Sequence, residues 1–326
     1  MKIAVIGAGA WGTTLSILLA NNGHEVTLWV YEKELARQMQ KSRENKQFLP
    51  GFQLPANINI TTSGKDLTSQ EICFFVVPTQ HLRSVARQLQ SQIDPKAYIV
   101  CASKGIEQKT YYLPLDILHE VLHNRYYLAL SGPNLSKEIA EGLPAATVVA
   151  SSYRKASQKV QKALMSKNFR VYTNDDDLGV QIAGALKNVI AIAAGICDGL
   201  KLGNNAKSAI LIRGISEITR LGVALGAKPK TFAGLSGMGD LITTCGSQLS
   251  RNHQVGEQLA KGKKLKDIQA AMKAVAEGVP TTQAAVELSK RYDLSLPITE
   301  EIYQILFKNK NPQRAIADLM AREAKR

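Results

Sequence analysis

Short runs of β-branched and aromatic residues alternate with amphipathic stretches in the first half of the chain. The runs are KIAVIG (2–7), EVTLWV (25–30), EICFFVVP (71–78), AYIVCAS (97–103), YYLALSG (126–132) and ATVVAS (146–151). Between them, residues 11–21, 84–92 and 116–124 show the apolar spacing of helices. Strands that alternate with helices predict a largely parallel sheet covered by helices on both faces.

The second half of the chain has no such alternation. After FRVYTNDDD (169–177) no convincing strand follows, and apolar residues recur at helical spacing. Acidic residues 175–177 are expected to open a helix, because carboxylates are favoured near its N-terminal end. We therefore predict an α/β fold with a Rossmann-type, doubly wound, mostly parallel sheet (residues 1–177), followed by an all-helical C-terminal domain (residues 178–326).

Length and charge narrow the class of protein. A chain of 326 residues exceeds the usual size of a single core, and its 45% hydrophobic residues are enough for two cores. The 41 lysines and arginines against 27 acidic residues give a net charge of +14, which favours anionic partners by sign alone. Because the sequence has no basic run interleaved with aromatics and no zinc-finger spacing, we expect no nucleic-acid partner. Phosphorylated small molecules suit the charge equally well.

The cysteines and the N-terminus indicate the compartment. The four cysteines are scattered without a CxxC pair, which argues against a disulfide framework and a thiolate metal site and indicates a reducing cytoplasm. A strand begins almost at the N-terminus, so no secretory signal is predicted. Residues 180–197 are the one membrane-span candidate, but Lys187 and Asn188 at their centre favour a buried helix over stable membrane insertion.

The segment GAGAWG (7–12) fits the dinucleotide-binding pattern G-x-G-x-x-G in its required context, directly after a strand and at the start of a helix. In that pattern Gly7 allows the tight turn, Gly9 lets the backbone approach a pyrophosphate, and Gly12 permits close packing of helix and strand. The anion would rest on the N-terminus of the helix. The first domain is therefore predicted to bind a dinucleotide.

The end of the second predicted strand, EVTLWVYEKE, bears on the choice between NAD and NADP. Glu32 lies twenty residues after Gly12, about where an acidic residue would bind the ribose 2′-hydroxyl of NAD. Lys33, Arg37 and Lys41 follow, and such residues would meet the 2′-phosphate of NADP. We expect NAD or NADP as the cofactor, with NADP slightly favoured.

One segment, HEVLH (119–123), satisfies the zinc-protease pattern H-E-x-x-H. Its two histidines and Glu120 share one face of a predicted amphipathic helix, and Ile117, Leu118 and Val121 belong to the adjoining apolar stripe. Since no clear third ligand follows, we interpret these residues as the polar face of a crossover helix and predict no metal site.

Lys187 lies in GALKNVIAIAAG (184–195), a run of small and aliphatic residues. An ammonium group removed from water without a partner is costly, so a helix that served only as core would carry an apolar residue there. Desolvation lowers the pKa of a lysine toward neutrality, which suits it to exchange a proton with a substrate oxygen. A nicotinamide enzyme needs such a group, because hydride transfer to a ketone leaves an alkoxide. The alternative is a lysine whose ammonium reaches water.

Other isolated polar residues follow strands or open helices. Lys104 comes just after one predicted strand and SGPN (131–134) ends the next, at the edge where parallel sheets bind ligands. In the second half, glycines flank Asp240 in GLSGMGDLITTC, and Ser250 is the expected N-cap before Arg251. An arginine at a helix start is suited to clamp a phosphate.

Eight segments, in order along nearly the whole chain, resemble the NAD(P)-dependent glycerol-3-phosphate dehydrogenases of the soluble bacterial type. They are GAGAWG, SKG, SGPN, LKNVIAIAAG, NNAKSAI, GLSGMGDLITTC, SRN and LPITEEIY. The ordered set is far more specific than any one segment. The resemblance implies a Rossmann-type domain, a helical C-terminal domain, and reversible reduction of dihydroxyacetone phosphate to sn-glycerol 3-phosphate, which feeds glycerophospholipid synthesis.

The same resemblance implies a role for each matching residue. Lys187 is the general acid/base, Lys104 contacts substrate and helps to polarise its carbonyl, and Asp240 orients the lysines and balances their charge. The implied substrate-binding residues are Lys104, Gly132, Asn134, Lys187, Asp240, Thr244, Ser250, Arg251 and Asn252. The implied cofactor-binding residues are Gly7, Gly9, Ala10, Trp11, Gly12, Tyr31, Lys104, Ser136, Arg251, Val275 and Glu277. Of these, Arg251 and Asn252 match the pair that grips the substrate phosphate.

Two positions depart from the family pattern. Ser136 replaces the usual alanine, and Tyr31 stands where many bacterial members carry a basic residue or histidine. The resemblance also implies a homodimer. Two alternatives stay open: another reductase of Rossmann-plus-helical architecture that acts on a hydroxy acid or ketopantoate, and a regulator that binds NAD(H) without turnover.

Overall fold

The structure is a computed structural model that describes residues 1–272 and 275–322. It contains two compact units. The first comprises Met1–Lys104 and Tyr112–Gln181, and the second comprises Gly105–Tyr111 and the residues from Ile182 onward. The division near residue 177 stays a prediction, and the sequence does not predict that Gly105–Tyr111 belongs to the second unit.

The first unit is built on a mixed β-sheet. Its strands are β1 (Lys2–Ile6), β2 (Glu25–Trp29), β3 (Glu44–Asn45), β4 (Leu49–Gln53), β5 (Ile58–Thr61), β6 (Ile72–Phe75), β7 (Tyr98–Cys101), β8 (Tyr126–Ser131), β9 (Ala145–Ala150) and β10 (Phe169–Asn174). Eight of these described strands form one sheet in the order β10-β9-β8-β7-β6-β1-β2-β5, and β3 pairs with β4 in a small antiparallel ribbon. Neighbours in the large sheet run parallel except β8 and β9. The predicted mostly parallel, Rossmann-type sheet is confirmed.

The strand order of the large sheet reverses between β1 and β6. The chain moves outward from β1 to β2 and β5 on one side, returns to β6, and then moves outward through β7 and β8 on the other side. In open α/β sheets, ligands bind beyond the carboxyl ends of the strands at such a reversal. The glycine segment that follows β1 lies at this position.

Helices connect the strands of the first unit. They are α1 (Ala10–Asn21), α2 (Lys33–Ser42), α3 (Thr79–Leu89), α4 (Pro114–Val121), α5 (Ser136–Ala140) and α6 (Arg154–Leu164). α1 agrees with its prediction, and Gly23 just beyond it has a φ of +82°, as in many helix ends. α3 and α4 begin earlier than predicted, after Pro78 and at Pro114, because the fixed φ of proline suits a helix start.

The sequence analysis predicts none of β3, β4 and β5. β5 covers four residues at the edge of the large sheet, and β4 contains Pro50 and Gly51, which are uncommon inside strands. β3 is only two residues long. Such short or interrupted segments carry little hydrophobic periodicity, so the pattern that predicts the longer strands misses them.

The second unit is helical in the part of the chain that the structure describes. Its helices are α7 (Asp177–Gly199), α8 (Gly203–Ala224), α9 (Pro229–Phe232), α10 (Asp240–Gly246), α11 (Arg251–Ala260), α12 (Leu265–Ala271), α13 (Gly278–Arg291), α14 (Pro297–Lys308) and α15 (Pro312–Met320), the first turn of α7 lying in the first unit. No strand follows Asn174 among the described residues, which confirms the predicted helical C-terminal half. The acidic segment opens α7 as expected, with the Asp176 carboxylate accepting from the backbone N–H of Gly179 at 2.9 Å.

α7 is the one helix in the described residues that is long and apolar enough to cross a membrane, with a mean hydropathy of 1.7. All residues of its apolar window are buried inside the protein. The core helix of a globular protein has the same length and composition, and this burial agrees with the predicted buried helix.

Glycines let α7 and α11 pack with their backbones in contact. A Cβ added to Gly195 of α7 would lie 2.0 Å from the carbonyl oxygen of His253, and one added to Gly256 of α11 would lie 2.1 Å from the carbonyl oxygen of Ile192. Real Cβ atoms do not approach oxygen so closely, so only glycine fits at either position. The first half of α11 is therefore fixed against the last two turns of α7.

We expect Gly256→Ala to destabilise the protein, because the added methyl group would overlap the carbonyl oxygen of Ile192. Overpacking of this kind costs about 1–3 kcal/mol of the free energy of unfolding, which urea denaturation measures. Gly246→Ala is the matched control, since a Cβ on this last residue of α10 meets no described atom within 4 Å. The control should keep or slightly raise the stability. Equal stabilities of the two variants would contradict the close crossing.

Candidate active site

The glycine segment after β1 has a backbone that only glycine allows at two of its three positions. Gly7 has a φ of +112°, and a Cβ there would lie 2.6 Å from the carbonyl oxygen of Val76. A Cβ on Gly12 would lie 1.8 Å from the carbonyl oxygen of Gly7, so the turn and the helix are in contact. Gly9 differs, because a Cβ there would meet no described atom within 4 Å. The space beside Gly9 is open to a ligand that approaches the backbone.

Helix α1 begins at Ala10, directly after this open position, with Trp11 in its first turn. The first amide groups of a helix have no acceptor within the helix, and the helix dipole adds partial positive charge there. A pyrophosphate matches that charge. The turn, the open position and the helix N-terminus therefore fit a dinucleotide cofactor.

Tyr31 lies two residues beyond the end of β2. Its side chain is largely exposed, at 64%, and its ring meets the edge of Trp29 with the centroids 6.1 Å apart. Glu32 and Lys33, which begin α2, are exposed as well. Groups of both charge signs are thus present at the strand end where a dinucleotide ribose would bind.

Polar residues converge beyond the carboxyl ends of β7 and β8. The Lys104 ammonium donates to the carbonyl oxygen of Gly132 at 3.1 Å. The hydroxyl of Thr147 donates to Asn134 Oδ1 at 2.9 Å, and Asn134 Nδ2 donates to the carbonyl oxygen of Ala146 at 3.3 Å. Lys104, Gly132 and Asn134 are therefore held at one edge of the sheet, and Thr147 fixes the orientation of the Asn134 amide.

Ser136 begins α5, next to these residues in sequence. Its carbonyl oxygen accepts a hydrogen bond from the hydroxyl of Thr14 at 3.1 Å. Thr14 lies in the second turn of α1, shortly after Gly12. The bond therefore holds Ser136 close to the helix that carries the glycine segment.

Lys187 is buried in the second unit between two polar partners. Only 6% of its surface is exposed. Its ammonium donates to a carboxylate oxygen of Asp240 and, at 2.7 Å, to the hydroxyl of Thr244, and both of these residues are buried as well. The carboxylate and the hydroxyl offset the loss of water around the ammonium. This burial excludes the alternative of a lysine that reaches bulk water.

Asp240 also affects which form of Lys187 is present. Burial favours the neutral amine, whereas a carboxylate in hydrogen-bonding contact favours the ammonium. Of these two effects, burial is the one that the sequence indicates. With Asp240 and Thr244 both accepting hydrogens from it, the ammonium is the form that the geometry supports. Such an ammonium is suited to act as a general acid toward a neighbouring oxygen.

An uncommon backbone turn places Asp240. Residues Leu235–Gly239 form a π-helical turn directly before α10, whose first residue is Asp240. Turns of this kind are rare and are found frequently at functional sites. Gly237 allows it, since a Cβ there would lie 2.1 Å from the carbonyl oxygen of Phe232. The glycines that surround Asp240 in the sequence thus serve the path of the backbone.

Asn188 is a residue of this region that the sequence analysis misses. Its Oδ1 accepts from Asn252 Nδ2 at 2.9 Å, and Asn252 Oδ1 accepts from the backbone N–H of Gly278 at 2.9 Å. Both asparagines are buried. The two carboxamides therefore join α7, α11 and the start of α13. The available signal was the position of Asn188 beside Lys187 in an otherwise apolar run, but its partner is 64 residues away in the sequence.

The start of α11 carries the residues expected to bind phosphate. Ser250 is the N-cap, since its hydroxyl accepts from the backbone N–H of His253 at 3.3 Å, which confirms the predicted cap. Arg251 follows as the first helical residue and is exposed. Val275 and Glu277 lie shortly before and at the start of α13. Desolvation lowers the pKa of the Arg251 guanidinium, and the Glu277 carboxylate opposes that shift in part. A cationic side chain and first-turn amides are thus available to an anion.

The H-E-x-x-H segment does not form a two-histidine face. α4 ends at Val121, and Leu122 has the extended backbone angles φ −104° and ψ 150°, so His123 lies outside the helix. The prediction of a helix continuing to residue 124 is wrong, because the chain leaves the helix before its last turn. His119 instead packs on Tyr127, with ring centroids 3.7 Å apart. Among residues 1–272 and 275–322, no group of three His, Cys, Asp or Glu could hold a metal.

Comparison with known sequences finds a match for each of the two parts of the chain. The family model for the N-terminus of NAD-dependent glycerol-3-phosphate dehydrogenase matches residues 2–157, and the model for the C-terminus matches residues 176–317. The chain belongs to the NAD-dependent glycerol-3-phosphate dehydrogenase family. The resemblance inferred from eight segments of sequence is confirmed.

Relatives of this dehydrogenase family match the chain along its whole length. The glycerol-3-phosphate dehydrogenase, NAD(P)+, of Citrifermentans bemidjiense is 47% identical over 330 residues, which cover 99% of this chain and 98% of the relative. That of Chlorobium phaeobacteroides is 47% identical over 331 residues and covers 100% of this chain and 99% of the relative. The crystal structure of glycerol-3-phosphate dehydrogenase from Coxiella burnetii is 35% identical, with a TM-score of 0.95 over 98% of this chain and 99% of that chain.

The same architecture occurs outside the dehydrogenase family. A ketopantoate reductase from Ralstonia eutropha is 15% identical, with a TM-score of 0.63 over 97% of this chain and 100% of that chain. A likeness at this identity shows the fold alone. The ketopantoate reductase and this chain share the backbone fold, so the fold does not determine the substrate. The family and the side chains do.

The Lys187–Asp240 pair allows a test of its burial. Removing one member of a buried ion pair leaves an uncompensated charge, so we expect Lys187→Met and Asp240→Leu each to lower the free energy of unfolding by about 3–5 kcal/mol. The double variant should be more stable than either single one, because it leaves no lone charge. Urea denaturation of the three variants at neutral pH measures this, with Thr244→Val as the control that removes one hydrogen bond from the ammonium and leaves its carboxylate partner in place. Additive losses would contradict a buried, coupled pair.

Proposed function

We propose that this protein interconverts dihydroxyacetone phosphate and sn-glycerol 3-phosphate by hydride transfer with NAD(P)H. The observation that carries the proposal is the buried Lys187 ammonium held by Asp240 and Thr244 in a chain of this family. Its curated relatives are named glycerol-3-phosphate dehydrogenases of NAD(P)+. The product is the precursor from which glycerophospholipid synthesis begins.

The first unit binds the coenzyme in this proposal. When bound, the nicotinamide supplies or accepts the hydride. Gly7, Gly9 and Gly12 form the pyrophosphate turn, and the first turn of α1, with Ala10 and Trp11, receives the negative charge. Tyr31 lies at the ribose end of the dinucleotide. Further coenzyme contacts are assigned to Lys104, Ser136, Arg251, Val275 and Glu277.

The second unit supplies the proton. In the reducing direction the Lys187 ammonium gives a proton to the C2 oxygen of the substrate as the hydride arrives at C2, and in the oxidising direction the amine takes that proton back. Asp240 holds the ammonium in place and balances its charge, while Thr244 fixes its orientation. Lys104 adds positive charge toward the carbonyl oxygen. Gly132 and Asn134 contact the substrate at the edge of the sheet that carries Lys104.

The substrate phosphate is gripped at the start of α11. Arg251 offers a charge-assisted pair of donors, and Ser250 lies beside it as the N-cap. The hydrogen bonds of Asn252 to Asn188 and Gly278 use its oxygen and one amide hydrogen, and its second amide hydrogen is the one that we assign to the phosphate. A phosphate ester is therefore preferred over an unphosphorylated ketone.

The coenzyme is NAD or NADP, with NADP slightly favoured. Lys33, Arg37 and Lys41 follow the strand end at Tyr31 and add positive charge where a 2′-phosphate would lie. Glu32 opposes them. The balance favours the phosphorylated coenzyme, because the three cations outnumber the two carboxylates of residues 32–41, Glu32 and Glu34, and the net charge of the chain is +14.

We further propose a cytoplasmic homodimer with no nucleic-acid partner and no stable membrane insertion. The scattered cysteines support a reducing compartment, and all four are buried as free thiols. Exposed apolar residues on one helix, Ile212 and Val223 of α8, support self-association. Light scattering on the purified chain measures the mass in solution.

The activity is tested by the loss of NAD(P)H absorbance when dihydroxyacetone phosphate is added, with NADH and NADPH in parallel. We expect turnover with both coenzymes and a lower KM for NADPH. Unphosphorylated dihydroxyacetone, ketopantoate and 2-keto acids are the comparison substrates. Equal turnover of these would favour another reductase of the same architecture, and coenzyme binding without any turnover would favour a regulator.

Lys187→Ala should lower kcat by ~10²-fold or more, because the substrate oxygen loses its proton donor. Coenzyme affinity, measured by fluorescence titration of NADPH, should be largely kept, since the glycine segment is unchanged. Lys230→Ala, which removes an exposed lysine of the second unit, is the comparison variant. A Lys187→Ala enzyme with near-normal kcat would remove this residue from the catalytic role.

Arg251→Ala should chiefly raise the KM for dihydroxyacetone phosphate. The lost charge-assisted clamp costs on the order of 2–4 kcal/mol of binding. Initial rates across a range of substrate concentrations measure the change, and Arg213→Ala, an exposed arginine of α8, is the matched control. If Arg251→Ala left KM unchanged, the phosphate would have to be bound elsewhere.

A further inference from the structure

Asp198, Lys207 and His253 form a polar cluster in the second unit that the proposed reaction does not use. Lys207 Nζ and His253 Nε2 lie 2.6 Å and 2.7 Å from the same carboxylate oxygen of Asp198. Asp198 belongs to the last turn of α7, Lys207 to α8 and His253 to α11. The cluster therefore ties three helices together at one carboxylate.

The position of Asp198 is unfavourable on its own. The C-terminal end of a helix carries partial negative charge, which repels a carboxylate. Burial would raise the pKa of Asp198, but the hydrogen bonds from Lys207 and His253 outweigh it and hold the pKa below its usual range. The carboxylate at this helix end is thus maintained by its two partners.

The hydrogen bond of His253 fixes its tautomer. A carboxylate oxygen accepts, so Nε2 carries the hydrogen. The Nδ1 atom is buried and has no hydrogen-bond partner among the described residues. The imidazole is a directional link between the end of α7 and the first turn of α11.

His253 is held at three points, and all of them set the start of α11. Its backbone N–H donates to the Ser250 hydroxyl at 3.3 Å, its carbonyl oxygen packs against Gly195 of α7, and its ring bonds to Asp198 near the end of α7. Arg251 lies two residues earlier in the same turn. A small shift of the His253 ring would therefore shift the backbone that presents the arginine.

We infer that Asp198 and His253 are positioning residues for the substrate phosphate: their hydrogen bond holds the first turn of α11 in the geometry with which Arg251 grips the anion. The inference rests on the proposed function, because it concerns the same phosphate. Asp198 and His253 act through the helix and do not touch the substrate. Lys207 keeps Asp198 ionised and so keeps it an acceptor for His253.

Kinetics of three variants separate this positioning role from a purely structural one. His253→Leu, which removes the donor, should raise the KM for dihydroxyacetone phosphate on the order of tenfold with kcat nearly unchanged, since displaced contacts cost up to about a hundredfold. His253→Gln should restore most of the loss, because its Nε2–H reaches the same carboxylate. Asp198→Asn, which keeps one accepting oxygen but removes the charge that attracts both donors, should raise the KM in the same direction and by less than His253→Leu.

Glu257→Gln, one turn further along α11, is the matched control and should keep the wild-type KM. The slow reduction of unphosphorylated dihydroxyacetone should be unchanged in all variants, because no phosphate is gripped. Circular dichroism and thermal melts establish that each variant is folded. If His253→Leu does not fold, Asp198→Asn carries the test.

Calorimetric titration with inorganic phosphate separates this inference from the proposed function. Weaker phosphate binding by His253→Leu or Asp198→Asn, with recovery in His253→Gln, supports the positioning role even if the wild-type chain reduces no dihydroxyacetone phosphate, in which case only the proposed function fails. Unchanged phosphate affinity in folded His253→Leu and Asp198→Asn overturns the inference, as does equal loss with phosphorylated and unphosphorylated substrates.

Discussion

A buried ammonium needs an anion beside it, and this requirement organises the second unit. Lys187 lies within α7, a long apolar helix whose apolar window is fully buried, and Asp240 and Thr244 of α10 stabilise its charge there. Asp240 can reach it because a π-helical turn ends at the preceding residue, and that turn needs Gly237 against the Phe232 backbone. The charge, the turn and the glycine are therefore parts of one constraint.

Further residues of α7 hold the neighbouring helices in place. Asn188 connects it through Asn252 to the start of α13, Gly195 receives the backbone of α11, and Asp198 reaches both α8 and α11. The polar and small residues of α7 are thus the positions at which neighbouring helices contact it and are held. Lys187 belongs to α7 and the first turn of α11 packs against it, so the placement of both does not depend on a flexible loop.

Local patterns predict much of this structure, and long-range pairing accounts for the rest. The order of strands and helices, the glycine turn, the Ser250 cap and the burial of Lys187 follow from residues close together in the sequence. The hydrophobic pattern does not predict the edge strand β5 or the end of α4, because a pattern of about four residues is too short to define where an element begins or ends. The partner of Asn188 and the link between Asp198 and His253 join residues 64 and 55 positions apart, and only the folded chain shows such pairs.

The reversed direction of β9 determines which of its residues lies beside Asn134 at the edge of the sheet. Since β9 runs antiparallel to β8, Val148 pairs with Ser131 at the end of β8, and the preceding Thr147 comes within hydrogen-bonding distance of Asn134. A sheet with uniform strand polarity would carry Thr147 to the far margin. Because β10 runs parallel to β9, two strands of the sheet are reversed, and the reversal brings the backbone of β9 to the edge that carries Asn134 and Lys104. That edge is thereby closed by a strand in place of a loop.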